Sequence, residues 1–348
     1  MTAPSRWRHR PEGSNWGEYG PDDQIGRLNL LTPEKVRQGI AEVRDGERFC
    51  LSLPLDYPGG NLLNQNRHPP QLMASATPEG EARYLLPLAE ATGEAALTDV
   101  VCDDRVLLHT QYSTQWDALS HVGARFDADG DGVAEVVFYN GWRGGEHISA
   151  PSDCGSCGGY EGVEAQRLGI ETMAETAIQG RAVLVDLFDV YGTDCADVDF
   201  AGLSAAMTAQ GAEIEPGDML VLHTGFAREV LAMNRAPTAD VLHGRCAALD
   251  GRDPALQNWI RECGVSAIIA DNYAVERVPN RGGDGPRALL PLHELCLFKL
   301  GIPLGELWWL SELTAYLRAR SRTRFLLTAP PLRLPGAVGS PVTPVATV

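Results

Sequence analysis

Five short apolar runs constrain most tightly what this chain can fold into. They are RVLLHT (105–110), AVLVDLF (182–188), MLVLHTG (219–225), SAIIADN (266–272) and RFLLTAP (324–330), each closed by polar or turn residues. Runs of this length suit buried strands. Helical patterns lie between some of them. Asp253 and Pro254 supply a cap and first turn for a helix carrying Leu256, Trp259, Ile260 and Cys263, with Gly264 as its stop. Thr32 and Pro33 open another, with Val36, Ile40 and Val43 on one face and Asp45-Gly46 at its end, and Ser311 and Glu312 open a third through Arg320. Strands interleaved with helices predict an α/β protein with a mixed sheet.

The rest of the chain frames these elements. RFCLSLPL (48–55) alternates like a half-buried strand, and residues 56–97 read as a long loop region rich in Pro, Gly and Asn. No repeat or linker is visible in the 348 residues, so one domain over 1–348 is expected, with 1–31 as an irregular arm. Forty-six acidic against 29 basic residues give a net charge of −17, which repels phosphate backbones and argues against nucleic acid. No apolar run reaches membrane-spanning length, and the first residues lack a secretory apolar core. Eight cysteines are too sparse for a disulfide scaffold, so a cytoplasmic location is expected.

The chemistry concentrates in HTQYSTQWDALSHVG (109–123). Asp117 and His121 are four apart and share a face if WDALSH is a helical turn. A carboxylate beside an imidazole orients it, raises its basicity or shares a metal with it, and an exposed pair on a helix has the same spacing. PLHELCLFKLGIPLGELWWL (291–310) holds His293 and Glu306, and Glu306 sits among Leu304, Leu307, Trp308 and Trp309. A carboxylate in such company is costly to bury unless paired or coordinated. DADGDGVAE (127–135) has Asp127, Asp129, Asp131 and Gly132 at calcium-loop spacing. It puts Phe138 where that loop needs a glutamate, so an acidic turn is expected. CGSC (154–157) has no second pair to complete a zinc site. His109 and His223 end apolar runs and read as satisfied histidines, and GGDGPR (282–287) lacks the Lys and the strand of a phosphate loop.

Several segments together resemble the cyclase family that includes bacterial kynurenine formamidase and isatin hydrolase. NWGEYGPDDQIGRLNLLTPEKV is similar to the arm of its longer members. TQWDALSHVG, YNGW (139–142), GRAVLVDL (180–187), PGDMLVLHTGF (216–226), DNYAVE (271–276), PLH (291–293) and GSPVTP (339–344) then follow in the family's order. The resemblance implies the swivelling β/β/α fold, a mixed sheet with flanking helices, and a homodimer or homotetramer. The family signature H-x-G-T-H-x-D-x-x-x-H falls on Gln111, Ser113, Thr114, Gln115, Asp117 and His121, so two ligand histidines are replaced by glutamines. His293 and Glu306 match the family's later ligands. An amide oxygen is a poor ligand for zinc or manganese. Asp117, His121, His293 and Glu306 are therefore expected to hold at most one divalent metal, or to act as a metal-free acid/base cluster.

The resemblance implies hydrolysis of a cyclic or aryl amide of the isatin or N-formylkynurenine type. A lactone hydrolase, a ring-closing enzyme, or a non-catalytic binding protein are the alternatives. In the leading reading Gln111, Thr114 and Gln115 steady the oxyanion, and Tyr112, Trp116 and Trp142 sandwich a flat aromatic substrate.

Overall fold

The computed structural model describes residues 6–150, 152–153, 160–279 and 287–348. Nine strands form one sheet: β1 (Arg48–Cys50), β2 (Gln115–Asp117), β3 (Gln179–Asp186), β4 (Met219–His223), β5 (Ala267–Ala270), β6 (Leu304–Glu306), β7 (Arg324–Thr328), β8 (Gly339–Pro341) and β9 (Val345–Thr347). Their order is β1-β9-β7-β3-β4-β5-β6-β2-β8. The four central strands, β3 to β6, run parallel, and every other pairing is antiparallel. The fold is thus mixed α/β, as the interleaved pattern predicts.

The central strands are mostly apolar because both faces are covered. Side chains alternate across a strand. Val183, Val185, Leu220, Leu222 and Ile268 enter one core with Leu203, Leu256 and Ile260, whereas Leu184, Met219, Val221 and Ile269 enter another with Leu313 and Leu317. The covering helices are α1 (Pro33–Ala41), α2 (Phe200–Gln210), α3 (Phe226–Ala232), α4 (Pro254–Cys263) and α5 (Ser311–Arg318). Thr32 and Asp253 cap α1 and α4 as expected. Asp253 accepts from the amides of Ala255 and Leu256 at 3.0 and 3.1 Å, and Gly264 closes α4 at φ 73°. The N-terminal arm is anchored by Trp16, fully buried against Phe298, with its indole N–H donating to the Phe298 carbonyl at 2.8 Å.

Four expectations are corrected. Helix α1 ends at Ala41, and the face it buries is Lys35 and Gly39, while Ile40 is 54% exposed. Lys35 forms a buried ion pair with Asp218 at 3.0 Å, and Gly39 lies so close to the backbone of Gly180 and Arg181 that a Cβ would collide. The run at 105–110 is not buried. Its strand (Asp104–Leu107) pairs only with Gln71–Ala74 in a side ribbon, leaving Leu107 61% exposed. The region 56–97 carries that ribbon strand and a short helix, Leu88–Thr92, rather than loop alone. WDALSH is not a helical turn: Gln115–Asp117 is strand, and a turn closed by the His121 amide on the Ala118 carbonyl (2.9 Å) follows it.

The six described cysteines are free thiols. Among the described residues no helix is long and apolar enough to cross a membrane. CGSC and most of GGDGPR lie outside the described residues. In the acidic turn, Asp127 accepts backbone N–H bonds from Gly130, Asp131 and Gly132. Asp129 lies 3.4 Å from the Arg143 guanidinium, so the loop's carboxylates are engaged by the protein itself.

Candidate active site

Strand register builds the floor of the site. Glu306 stands directly opposite Gln115, and Leu304 opposite Asp117. Gln115, Asp117 and Glu306 therefore share one face of the sheet, while Trp116 projects to the other. There Trp116 meets Trp308 edge-on at 5.2 Å between centroids, and its indole donates to the Ala329 carbonyl at 2.8 Å. After Glu306 the chain turns away through Leu307, held at φ 56°. Its amide donates to the Asn272 carbonyl, and its carbonyl accepts from the Thr114 hydroxyl. Such backbone persists only where neighbours hold it.

His293 arrives from a separate segment. Pro291–His293 is an α-helical turn that continues as a π-helix, Glu294–Leu300. The buried carboxylate of Glu276 caps its start, accepting from the amides of Leu292 (3.0 Å) and His293 (2.9 Å). The same carboxylate lies 2.8 Å from His293 Nδ1. With Nδ1 committed to Glu276, Nε2 is the atom presented to the floor, 3.2 Å from Glu306 and 4.0 Å from Asp117. His121 Nε2 is 3.8 Å from Asp117, and its Nδ1 is 3.4 Å from the Gln111 amide nitrogen.

Electrostatics separate the two imidazoles. Burial pushes His121 below its ordinary value, only partly offset by Asp117, so it is held neutral. Burial also works against charge on His293, but the hydrogen bonds to Glu276 and Glu306 outweigh it and push this residue up to about 10. Glu306 is raised to about 7, first by burial and then by the neighbouring Asp117 charge. One neutral base and one proton-holding pair within a single cluster is an arrangement suited to acid–base work.

The floor closes a cavity of about 240 Å³. Gln111, His121, His293 and Glu306 lie at its polar end, and Leu63, Tyr112, Tyr273 and Leu290 supply apolar and aromatic wall. This volume is below the roughly 300–1,000 Å³ usual for drug-sized ligands, so it fits a small one.

The structure thus brings together Asp117, His121, His293, Glu306, Gln111, Gln115 and Tyr112. It does not bring in three others. Trp116 is wholly in the core, and Trp142 lies under the Arg6 guanidinium at 3.6 Å, so neither sandwiches a ligand in this cavity. Thr114 spends its hydroxyl on Leu307 and accepts from the Leu53 amide at 2.9 Å, which clamps the turn rather than facing the cavity. Glu276, Tyr273 and Arg67 were missed by sequence reasoning. Glu276 had a signal, a lone acid in the apolar surroundings of YAVERV; Arg67 sits in a loop without one.

A metal fits part of this set. One donor atom each from Asp117, His293 and Glu306 lies within 4.8 Å of the others. Asp117 Oδ2 is buried with no hydrogen-bond partner, and such an atom calls for a cation or a proton. Gln115 limits the number. Its amide nitrogen lies 3.0 Å from Glu306 Oε2 and 3.3 Å from Asp117 Oδ1, donating into the space between the carboxylates.

A small cavity ending on a buried carboxylate–imidazole cluster, at the margin of a parallel sheet core, defines an α/β protein built around a candidate catalytic centre. Residues 51–277 match the family model described as "Putative cyclase", and the chain belongs to the Cyclase family. A crystal structure described as a novel cyclase is 31% identical over 96% of this chain and 97% of its own, with a TM-score of 0.72. The fold is shared with isatin hydrolase A from Labrenzia aggregata bound to benzyl benzoate (12% identity, TM-score 0.53). It is shared also with isatin hydrolase A from Ralstonia solanacearum (14% identity, TM-score 0.54); both comparisons cover 90% of this chain and 97% of the other. No curated protein matches the chain.

Proposed function

We propose that the chain is a hydrolase that opens a cyclic or aryl amide, of the isatin or N-formylkynurenine type, by attack of water on the carbonyl. The observation that carries this is the convergence of Asp117, His121, His293 and Glu306 at the closed end of a small, aromatic-walled cavity. Isatin hydrolases of the same fold have been seen with benzyl benzoate and with the product analogue thioisatinate, both small aromatic molecules.

In this reading His121, kept neutral by burial, takes the proton from the attacking water, and Asp117 steadies its far nitrogen. The Gln111 amide is a donor available to the developing oxyanion, whereas the N–H groups of Gln115 face Asp117 and Glu306. The proton shared by His293 and Glu306 is available to the departing nitrogen. Asp117, His293 and Glu306, with His121 beside them, would hold at most one zinc or manganese ion. Such an ion supplies carbonyl polarisation and a more acidic water. Metal-free catalysis uses the same side chains.

Turnover of isatin, N-formylkynurenine and aryl lactones, with and without chelator and alongside elemental analysis, tests the reading. Amide hydrolysis is expected. Turnover of lactones alone would favour the lactone hydrolase, and no turnover of any would leave a binding protein. A homodimer or homotetramer is part of the proposal, supported by exposed Leu72, Val106 and Leu107 on the side ribbon, and light scattering of the purified chain checks it.

A further inference from the structure

The cavity has one feature that water attack on a carbonyl does not use. Arg67 lines it, and its Nη1 donates to the Gln111 carbonyl at 2.7 Å. That bond fixes the guanidinium beside the residue whose side chain meets His121. Among the described residues Arg67 forms no ion pair and makes no other side-chain hydrogen bond. A guanidinium carries five N–H donors in a planar fork matched to a carboxylate. In a chain with 46 acidic and 29 basic residues, an arginine facing a cavity without a carboxylate partner stands out. The same cavity is lined by His293 and Glu306, with Asp117 and Glu276 behind them, so the Arg67 cation is the counterweight to an otherwise acidic cluster.

We propose that Arg67 is a specificity residue that pairs with a carboxylate carried by the substrate, so that the substrate class is an acidic aryl amide rather than a neutral one. The inference rests on the hydrolase reading above for the word substrate, but not for the anion site itself. Charge placement gives the orientation. An anionic ligand is repelled by the Asp117 and Glu306 carboxylates and attracted to Arg67, so its carboxylate pairs with the guanidinium. Tyr112 and Tyr273 line the same cavity for the ring, and the Gln111 and His121 side chains line it for the amide carbonyl. An arginine fork recognises a carboxylate bidentately, whereas a lysine supplies a point charge.

The test uses two aryl formamides, N-formylanthranilate, which carries a carboxylate, and formanilide, which does not. In each, water adds to the formyl carbon, the C–N bond breaks, and formate and the aniline leave. The native enzyme is expected to show a kcat/KM at least ~10²-fold higher for the acid, most of it in KM. In Arg67→Gln that preference should collapse by tenfold or more, and Arg67→Lys should restore part of it. A preference that survives Arg67→Gln would overturn the proposal. So would a loss of equal size on both substrates, because Arg67 would then serve the carboxylate generated by hydrolysis. Calorimetric titration with benzoate and with neutral benzamide separates this from failure of the hydrolase reading. Benzoate is expected to bind the native protein and to weaken at least tenfold in Arg67→Gln, with or without turnover. Equal affinity for benzoate and benzamide, or no benzoate binding, would remove the anion site.

Discussion

Glu276→Gln is the substitution that probes the cluster most directly. Glu276 is 2% exposed and accepts from the Leu292 amide, the His293 amide and His293 Nδ1 at 2.8–3.0 Å. Glutamine keeps the shape but turns one oxygen into a donor, which must face the Leu292 N–H or leave the carboxyl pocket half satisfied. Stranding a buried donor costs about 1–3 kcal/mol. The charge effect is separate. His293 moves from 6.5 to about 10, and Glu276 and Glu306 share the cause. At about 1.4 kcal/mol per pH unit the whole shift is on the order of 5 kcal/mol, and removing the Glu276 charge takes away part of it.

The sign follows from linkage. A group whose value is raised on folding contributes stability that is complete below its unfolded value and is lost as pH rises through the folded one. For His293 that window runs from 6.5 to about 10, and for Glu306 from 4.5 to about 7. Chelator-treated native protein should therefore lose stability as pH rises through both windows. Glu276→Gln should be less stable at pH 6.5 by more than the roughly 1–3 kcal/mol of the stranded donor alone, and should lose less stability than the native protein between pH 6.5 and about 10. Urea unfolding of both proteins across this range measures the difference, and background titrations cancel in the comparison. Parallel stability–pH curves would refute the assigned coupling between Glu276 and His293. A bound metal reverses the sign, because His293 Nε2 must shed its proton to coordinate, so metal affinity should fall with acidity.

His121→Ala should lower kcat/KM by ~10²-fold or more with the fold retained, the usual size of a general-base or ligand contribution; near-normal turnover in a folded variant would remove His121 from the mechanism. Gln111→His with Gln115→His should raise metal occupancy measured by elemental analysis, because it removes the amide that donates to both carboxylates and adds two imidazoles. Two metals per native chain would contradict the role given to Gln115. Asp218→Asn should cost about 3–5 kcal/mol in urea unfolding, since Asp218 is fully buried between Lys35 and Arg181, each 2.9–3.0 Å away, and both cations would lose it. Calcium should not raise the melting temperature, because Asp127 and Asp129 are already engaged by backbone amides and by Arg143.

What the sequence revealed of fold and site follows from how far each signal acts along the chain. Caps and stops act within four residues, so Thr32, Asp253 and Gly264 were legible. Apolar runs report burial only when something covers them. Four of the five runs lie in the central sheet, while 105–110 has the same composition in an exposed ribbon, which the run itself cannot reveal. Helix α1 shows the opposite failure. Its apolar face was real, but Gly39 and the Lys35–Asp218 pair decided which side packs, and Asp218 is 183 residues away. The glutamine substitutions stood in the sequence, yet the consequence of Gln115 depends on β2–β6 register, which sets its amide against Glu306.

The expectation that Trp116 and Trp142 sandwich a flat substrate fails because alternation along β2 sends Trp116 to the far face of the sheet, and Trp142 packs under Arg6. Arg67 comes from a segment with no local reason to meet the site, and Glu276 is visible only as a lone acid in YAVERV. Glu276 reaches it by capping the helical turn that carries His293, and Arg67 by bonding the backbone of Gln111. Both engage main-chain groups, which no side-chain motif records, and Glu276 also holds the His293 imidazole. The residues that hold the chemistry in place are therefore less visible in this sequence than those that perform it.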